Sequence, residues 1–329
     1  MSALEKRMTP LMTASDRQIR MLRTAMGPAI AAALEDPEVI EVLLNPDGTL
    51  WLDRLSTGRA PTGLTLTPHD AERIVRLVAA HVRAEVHASA PIVSAELPET
   101  GERFEGLLPP IVRGPVFAIR KRAAAVIPLY QYVADGVLTE AQAIVLRSAV
   151  RHRENIVIAG GTSTGKTTLA NALLREMAET GDRVILLEDT VELQCFCDDH
   201  VALRTRPGVV SMTELVRSTL RLRPDRIVIG EVRGPEALDL LKAWGTGHPG
   251  GIATLHAGSA HGALTRLEQL IQEVAVTVPR ALIAEAVNLI VFIAGRGRSR
   301  HIEEIVRLVG VDATGYQLKP LNESPGEQP

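Results

Sequence analysis

The sequence predicts an α/β protein in two parts: a phosphate-loop nucleotide-binding domain on a parallel sheet, preceded by a smaller α+β domain. Three observations predict it. Residues 160–168 (Gly160-Gly161-Thr162-Ser163-Thr164-Gly165-Lys166-Thr167-Thr168) match the pattern G-x-x-x-x-G-K-[ST]. An apolar run, Ile156-Val157-Ile158-Ala159, leads into that loop, and Leu169, Ala170, Leu173, Leu174 and Met177 follow it at helical spacing. Two more apolar runs, 183–187 and 226–230, alternate with helical stretches and end in acids. That is the pattern of a parallel sheet, whose ligands sit beyond the carboxyl ends of its strands.

Taken in order, residues 1–35 read as one or two amphipathic helices, with Ile19, Leu22, Met26 and Ile30 three to four apart. Residues 39–44 and 49–53 read as strands around the turn Asn45-Pro46-Asp47-Gly48. Thr67-Pro68-His69-Asp70 carries a cap, a first-turn proline and an acid, and opens a helix bearing Ile74, Leu77, Val78 and Val82. Strands are expected at 103–110 and 116–121, so that 36–122 forms the α+β domain. Residues 123–138 are expected as a linker, and Thr139…Gln142 forms a capping box at the next helix. The nucleotide domain is expected over 139–321, with a helix at 212–222, largely helical structure over 262–288, and strands at 289–294 and 302–309. Residues 322–329 are expected as a disordered tail.

A chain of 329 residues with 46% hydrophobic content suits about two globular domains. The formal charge of −3 and an aromatic content of 3% argue against a basic nucleic-acid coat or a base-stacking platform. No stretch approaches the ~18 apolar residues of a membrane span. The charged start (Glu5, Lys6, Arg7, Asp16, Arg17) lacks a signal-peptide core, so a cytoplasmic location is expected. Cys195 and Cys197 have no second ligand cluster to close a metal site with them, and read as ordinary thiols.

The chemistry follows from the loop. Successive backbone N–H groups and a helix N-terminus face an anion, Lys166 reaches the β- and γ-phosphates, and the Thr167 hydroxyl ligates Mg²⁺. An acid about 65 residues after the lysine, at the end of an apolar strand, completes such a site. Glu231 fits water activation best, with Glu188 as a second, metal-shell or structural carboxylate. His248 and His256 lie in a glycine-rich stretch, 245–259, that places them by a loop, and His256 is expected at a strand end facing the γ-phosphate.

The set Gly-Gly-Thr-x-x-x-Gly-Lys-Thr-Thr, Leu-Glu-Asp-Thr-Val-Glu, Arg-Pro-Asp-Arg-Ile-Val-Ile-Gly-Glu-Val-Arg-Gly and Thr-Gly-His-Pro-Gly-Gly…Thr-Leu-His-Ala resembles the traffic ATPases of type II and type IV secretion systems over about residues 36–310. Within that family it looks most like the conjugal-transfer branch. The resemblance implies a RecA-like domain that binds ATP and Mg²⁺. It implies a homo-hexamer working with secretion or conjugation channel proteins at the inner membrane, with room for peripheral membrane association. It assigns Glu188 and Asp189 to an acidic box, Glu231 to the Walker B position, and His248 with His256 to a histidine box. Arg103 and Arg120 resemble amino-terminal-domain arginines that close over the nucleotide. The chain departs from the family at Ser163-Thr164, where Gly-Ser is common.

The alternative function is a nucleic-acid-translocating RecA-like motor. Its best support is the basic run Arg217, Arg221, Arg223 and Arg226, which stands directly before the Walker B strand and reads better as subunit contact or nucleotide sensing. Direct nucleic-acid binding is not expected. A small-molecule kinase would need an acceptor lid that the sequence does not offer.

Overall fold

Two sheets divide the chain, the first with one hydrophobic core and the second with a core on each face. The computed structural model describes residues 14–122, 126–206 and 208–321. One unit spans Met1–Ala124 and the other Ala125–Pro329. The expected start of the first helix (1–13), the middle of the hinge (123–125) and the tail (322–329) lie outside the described residues.

In the first unit α1 (Ala14–Glu35) is two helical pieces, because Gly27 stands at φ 70°, ψ 175° and Pro28 restarts the helix. There follow β1 (Val39–Leu44), β2 (Thr49–Arg54), β3 (Gly58–Thr65), α2 (Pro68–His81), β4 (Ile92–Glu96), β5 (Arg103–Leu107) and β6 (Val116–Arg120). The Thr67 hydroxyl accepts from the Asp70 N–H at 3.1 Å and starts α2 as the sequence predicts. The sheet is antiparallel throughout, in the order β3-β2-β1-β6-β5-β4. Leu22, Met26 and Ile30 of α1 share one core with Ile74 and Val78 of α2 and with Val42, Phe104 and Ile119 of the sheet. The helix expected as a separate N-terminal segment is therefore part of this unit: its apolar stripe covers the sheet.

The second unit begins earlier than expected. Within the stretch read as linker, α3 (Leu129–Ala134) forms, and Leu129, Tyr132 and Leu138 are buried in the same cluster as Ile156 and Ile158. The sequence reading took Pro128 and the preceding alanines for a hinge and overlooked three large apolar side chains in ten residues. Next come α4 (Glu140–Arg151), β7 (Ile156–Gly160), α5 (Lys166–Met177), β8 (Val184–Glu188), β9 (His200–Arg204), α6 (Met212–Thr219), β10 (Arg226–Ile229) and α7 (Glu236–Gly245). They are followed by β11 (Ile252–His256), α8 (Ala260–Gln272), α9 (Arg280–Ala286), β12 (Leu289–Ala294), β13 (His301–Asp312) and β14 (Gly315–Pro320). The Thr139–Gln142 capping box holds α4 through reciprocal bonds of 2.9 and 3.1 Å.

The strand order is β14-β13-β12-β7-β11-β10-β8-β9. The six strands from β12 to β9 run parallel, while β13 and β14 add an antiparallel edge. Both faces of the parallel part are covered: Ile156 and Ile158 enter one core, Val157 and Ala159 the other. This burial explains why β7, β8 and β10 read as unbroken apolar runs.

Candidate active site

Four neighbouring parallel strands bring the predicted chemistry to one edge of the sheet. β8 ends in Glu188, β10 in Ile229 followed by Gly230 and Glu231, β11 in His256, and β7 in Gly160. His256 pairs in register with Gly160, and the Thr254 hydroxyl donates to the Gly230 carbonyl at 2.6 Å. With strands about 4.8 Å apart, the four termini form a single row.

The loop from β7 into α5 is shaped by its glycines. A Cβ on Gly160 would lie 2.6 Å from the carbonyl oxygen of Ile293 on β12, so no side chain fits there. Gly165 caps α5 at φ 99°. Ser163 also takes a left-handed backbone, at φ 62°. A side chain in that backbone costs about 1–2 kcal/mol, which a glycine would avoid. Gly161 and Thr162 are exposed at the loop tip, the Thr164 hydroxyl donates to the Gly161 carbonyl at 3.0 Å, and Thr167 and Thr168 sit in the first turn of α5. Lys166 Nζ donates to the Gly160 and Gly161 carbonyls at 3.1 and 2.8 Å, and lies 3.3 Å from His256 Nδ1.

From Lys166 a chain of charges runs across the row. His256 Nε2 is 3.0 Å from Glu231 Oε1, and Arg233 donates to Glu231 Oε2 at 2.6 Å while also pairing with Asp189. Burial pushes the Glu231 carboxyl up, but the Arg233 hydrogen bond and the charges of Arg233, His256 and Lys166 outweigh it. They hold the group below the usual glutamate range, so it is ionised at neutral pH. Sequence reasoning missed Arg233, whose only signal is its place two residues beyond the Walker B acid. A cleft of about 620 Å³ opens beside these groups, lined by Asp189, Arg206, Glu214, Glu231, Arg233 and Glu236 among others.

Glu188 stands in the row but serves the loop after its own strand. Its Oε1 accepts from the N–H groups of Glu192 and Leu193 at 2.8 and 2.7 Å, and the residue is 3% exposed. Burial pushes its carboxyl up to about 6, aided by the nearby Glu192 and Asp189 carboxylates and opposed by those two hydrogen bonds. A carboxyl that holds its proton more tightly when folded stabilises the protein most below the unfolded pKa, and the contribution is lost as pH rises through about 6. The loss should be about 2 kcal/mol between pH 4.5 and 7. Glu188→Gln keeps the acceptor oxygen and should remove this slope, read as the difference in urea unfolding between pH 5 and 7.5. Equal slopes in mutant and wild type would show that Glu188 titrates as an ordinary carboxylate.

Other predicted residues lie elsewhere. His248 is not brought to the loop within this chain. Its Nδ1 is 2.9 Å from the Pro224 carbonyl at the start of β10, and all of β11 separates it from His256. Five residues of extended strand put the two histidines at opposite ends of the sheet. Arg226, from the basic run, is 1% exposed, its Nε donating to Asp182 at 2.6 Å. It is a core ion pair and cannot serve a subunit contact. Arg103 and Arg120 belong to the first unit, where they are direct cross-strand partners on β5 and β6 and Arg120 lies 3.7 Å from Glu41. Each arginine has an acid as its other cross-strand neighbour, Glu41 on β1 opposite Arg120 and Glu96 on β4 opposite Arg103, which offsets the like charges.

Comparison with known proteins agrees with this geometry. The profile of the type II/IV secretion system protein family matches residues 65–296. A conjugal transfer protein TrbB of Rhizobium radiobacter is 49% identical over 305 residues, covering 92% of this chain and 94% of that one. The type IV secretion system protein PtlH of Bordetella pertussis is 33% identical, over 83% and 91%. Among solved structures, the pilus retraction motor PilT with bound ADP superposes with a TM-score of 0.59 at 19% identity, over 89% of this chain and 80% of that one. It shares the fold.

Proposed function

The chain belongs to the type II/IV secretion system protein family, as an ATPase of its type IV secretion and conjugal-transfer branch, and on that footing we propose that it is a ring-forming, Mg²⁺-dependent motor. The motor energises a conjugation or secretion channel at the inner membrane. The observation that carries the reading is the row Gly160–Lys166, His256, Glu231: a phosphate-binding loop, a polar contact and an ionised carboxylate on adjacent strand ends.

Lys166 binds the β- and γ-phosphates and offsets their charge. Glu231 orients the attacking water and accepts its proton, with His256 fixing the carboxylate and Arg233 keeping it ionised. Among the described residues no group of three or more His, Cys, Asp and Glu forms a metal cage. Mg²⁺ does not need one beside phosphate: a hydroxyl such as Thr167 and a carboxylate such as Glu231 are the sparse protein set it takes, with phosphate and water completing the shell. When bound, the ion neutralises phosphate oxygens. Glu188 is proposed as the carboxylate that positions residues 189–193.

The proposed ring is a homo-hexamer, and a neighbouring copy's arginine enters the acid-lined cleft beside Glu231. Arginines at a transferring phosphoryl group are worth about 10³–10⁵ in rate. Specific activity should therefore rise steeply with protein concentration as light scattering reports the passage to six copies. Full specific activity in a monomer would remove the shared site. No helix of the described residues is long and apolar enough to cross a membrane.

A further inference from the structure

The phosphate loop has a second cation beside it that no motif marks. The turn between β12 and β13 is tightly wound. Gly295 is at φ 71° with the Ser299 carbonyl where a side chain would be, and Arg296 and Ser299 exchange hydrogen bonds of 3.2 and 2.9 Å. β13 is then tied to the end of the α3 turn by the Ile302 N–H donating to Val137 at 2.8 Å. Between these fixed points Arg300 reaches the loop. A Cβ built on Gly165 would meet its Nε at 2.9 Å and its Cζ at 3.0 Å, so the guanidinium lies flat against the glycine that caps α5.

This guanidinium is not spent on the protein. Arg300 Nε is buried and has no hydrogen-bond partner among the described residues. The Tyr132 hydroxyl, close enough to feel the Arg300 charge, is likewise buried and unpartnered. No carboxylate is paired with Arg300 among the described residues. A half-buried cation normally keeps such a partner, because its desolvation is otherwise uncompensated. Here it lies against the N-terminus of α5, the positive end of that helix. The whole cluster calls for an anion.

The strand order says which part of that anion. Glu231 and His256 stand on the β10–β11 side of β7, and Arg300 stands directly before β13, beyond β12 on the other side. We propose that Arg300 is a binding residue for the phosphates shared by nucleoside di- and triphosphates, holding the nucleoside-proximal end while Lys166 and Glu231 act at the γ-phosphate. The proposal rests on the phosphate-loop reading above. The planar guanidinium suits this place because it can lie against Gly165 and still present N–H groups to phosphate oxygens.

The test is binding of a fluorescent ADP and a fluorescent ATP to the full chain in Mg²⁺ buffer, for wild type, Arg300→Ala, Arg300→Met, Arg300→Lys and Lys166→Ala. Loss of one charged contact should weaken ADP and ATP alike, by about 10- to 100-fold. Arg300→Met keeps the stem against Gly165, so an equal loss there assigns the effect to charge and not to packing. Arg300→Lys should recover part of the affinity, and the salt dependence of binding should flatten in the uncharged variants. ADP affinity within about twofold of wild type in Arg300→Met, with Lys166→Ala still impaired, would overturn the proposal while sparing the phosphate-loop reading. If wild type binds neither nucleotide, both fall together.

Discussion

Lys166→Ala should lower ATP hydrolysis by about 10³-fold or more while leaving the second unit folded. Lys166 Nζ is the closest fixed charge to the loop's own carbonyls, at 2.8 and 3.1 Å, and it touches His256. It also helps hold Glu231 ionised, so its loss weakens both phosphate binding and the base. The packing of α5 does not depend on it, since Leu169, Ala170, Leu173 and Leu174 supply the buried face. The fold loses two hydrogen bonds to loop carbonyls, worth about 1–3 kcal/mol, so the melting temperature should drop by only a few degrees. Phosphate release at saturating ATP and a thermal melt decide the matter. Turnover above about a tenth of wild type would remove the loop assignment, and a collapsed melt would mean that Lys166 is structural.

What could be read from the sequence was set by burial. β7, β8 and β10 are covered on both faces and announce themselves as apolar runs, and the loop and Glu231 sit at their ends. The four edge strands of the two sheets, β3, β4, β9 and β14, all escaped sequence reasoning. Their exposure explains it: β9 alternates between exposed and half-buried positions, β3 is exposed at most of its positions, and neither has a fully buried residue. An edge strand owes its place to hydrogen bonds from one neighbour, and backbone pairing leaves no apolar signature.

The site was legible to the same degree. Residues at strand ends, Glu231 and His256, fell where predicted, because a parallel sheet fixes which ends meet. His248 did not, because the glycine-rich stretch 245–259 conceals the five-residue strand β11. Arg233 and Arg300 reach the row by side-chain length. Arg300 is 135 residues from Gly165, since 300 − 165 = 135, and only the sheet order brings them together.

Glu231→Gln separates binding from chemistry. The substitution keeps size and one acceptor oxygen, but an amide neither accepts a proton from water nor carries the charge that Arg233 and His256 now share. Turnover should fall by about 10²–10⁴. Nucleotide affinity should stay within a few-fold, or tighten, because removing a carboxylate near phosphate relieves repulsion. The unpaired Arg233 retains Asp189 as a partner, which limits the structural cost. Glu188→Gln is the internal contrast. Its carboxylate accepts from the Glu192 and Leu193 N–H groups, so turnover should remain within about tenfold of wild type while the pH dependence of stability changes. Single-turnover hydrolysis and equilibrium nucleotide binding, run on both variants, distinguish the two carboxylates. If Glu231→Gln loses affinity but hydrolyses what it binds at the wild-type rate, and Glu188→Gln binds without turning over, then Glu188 is the base and the Arg233-held carboxylate serves binding.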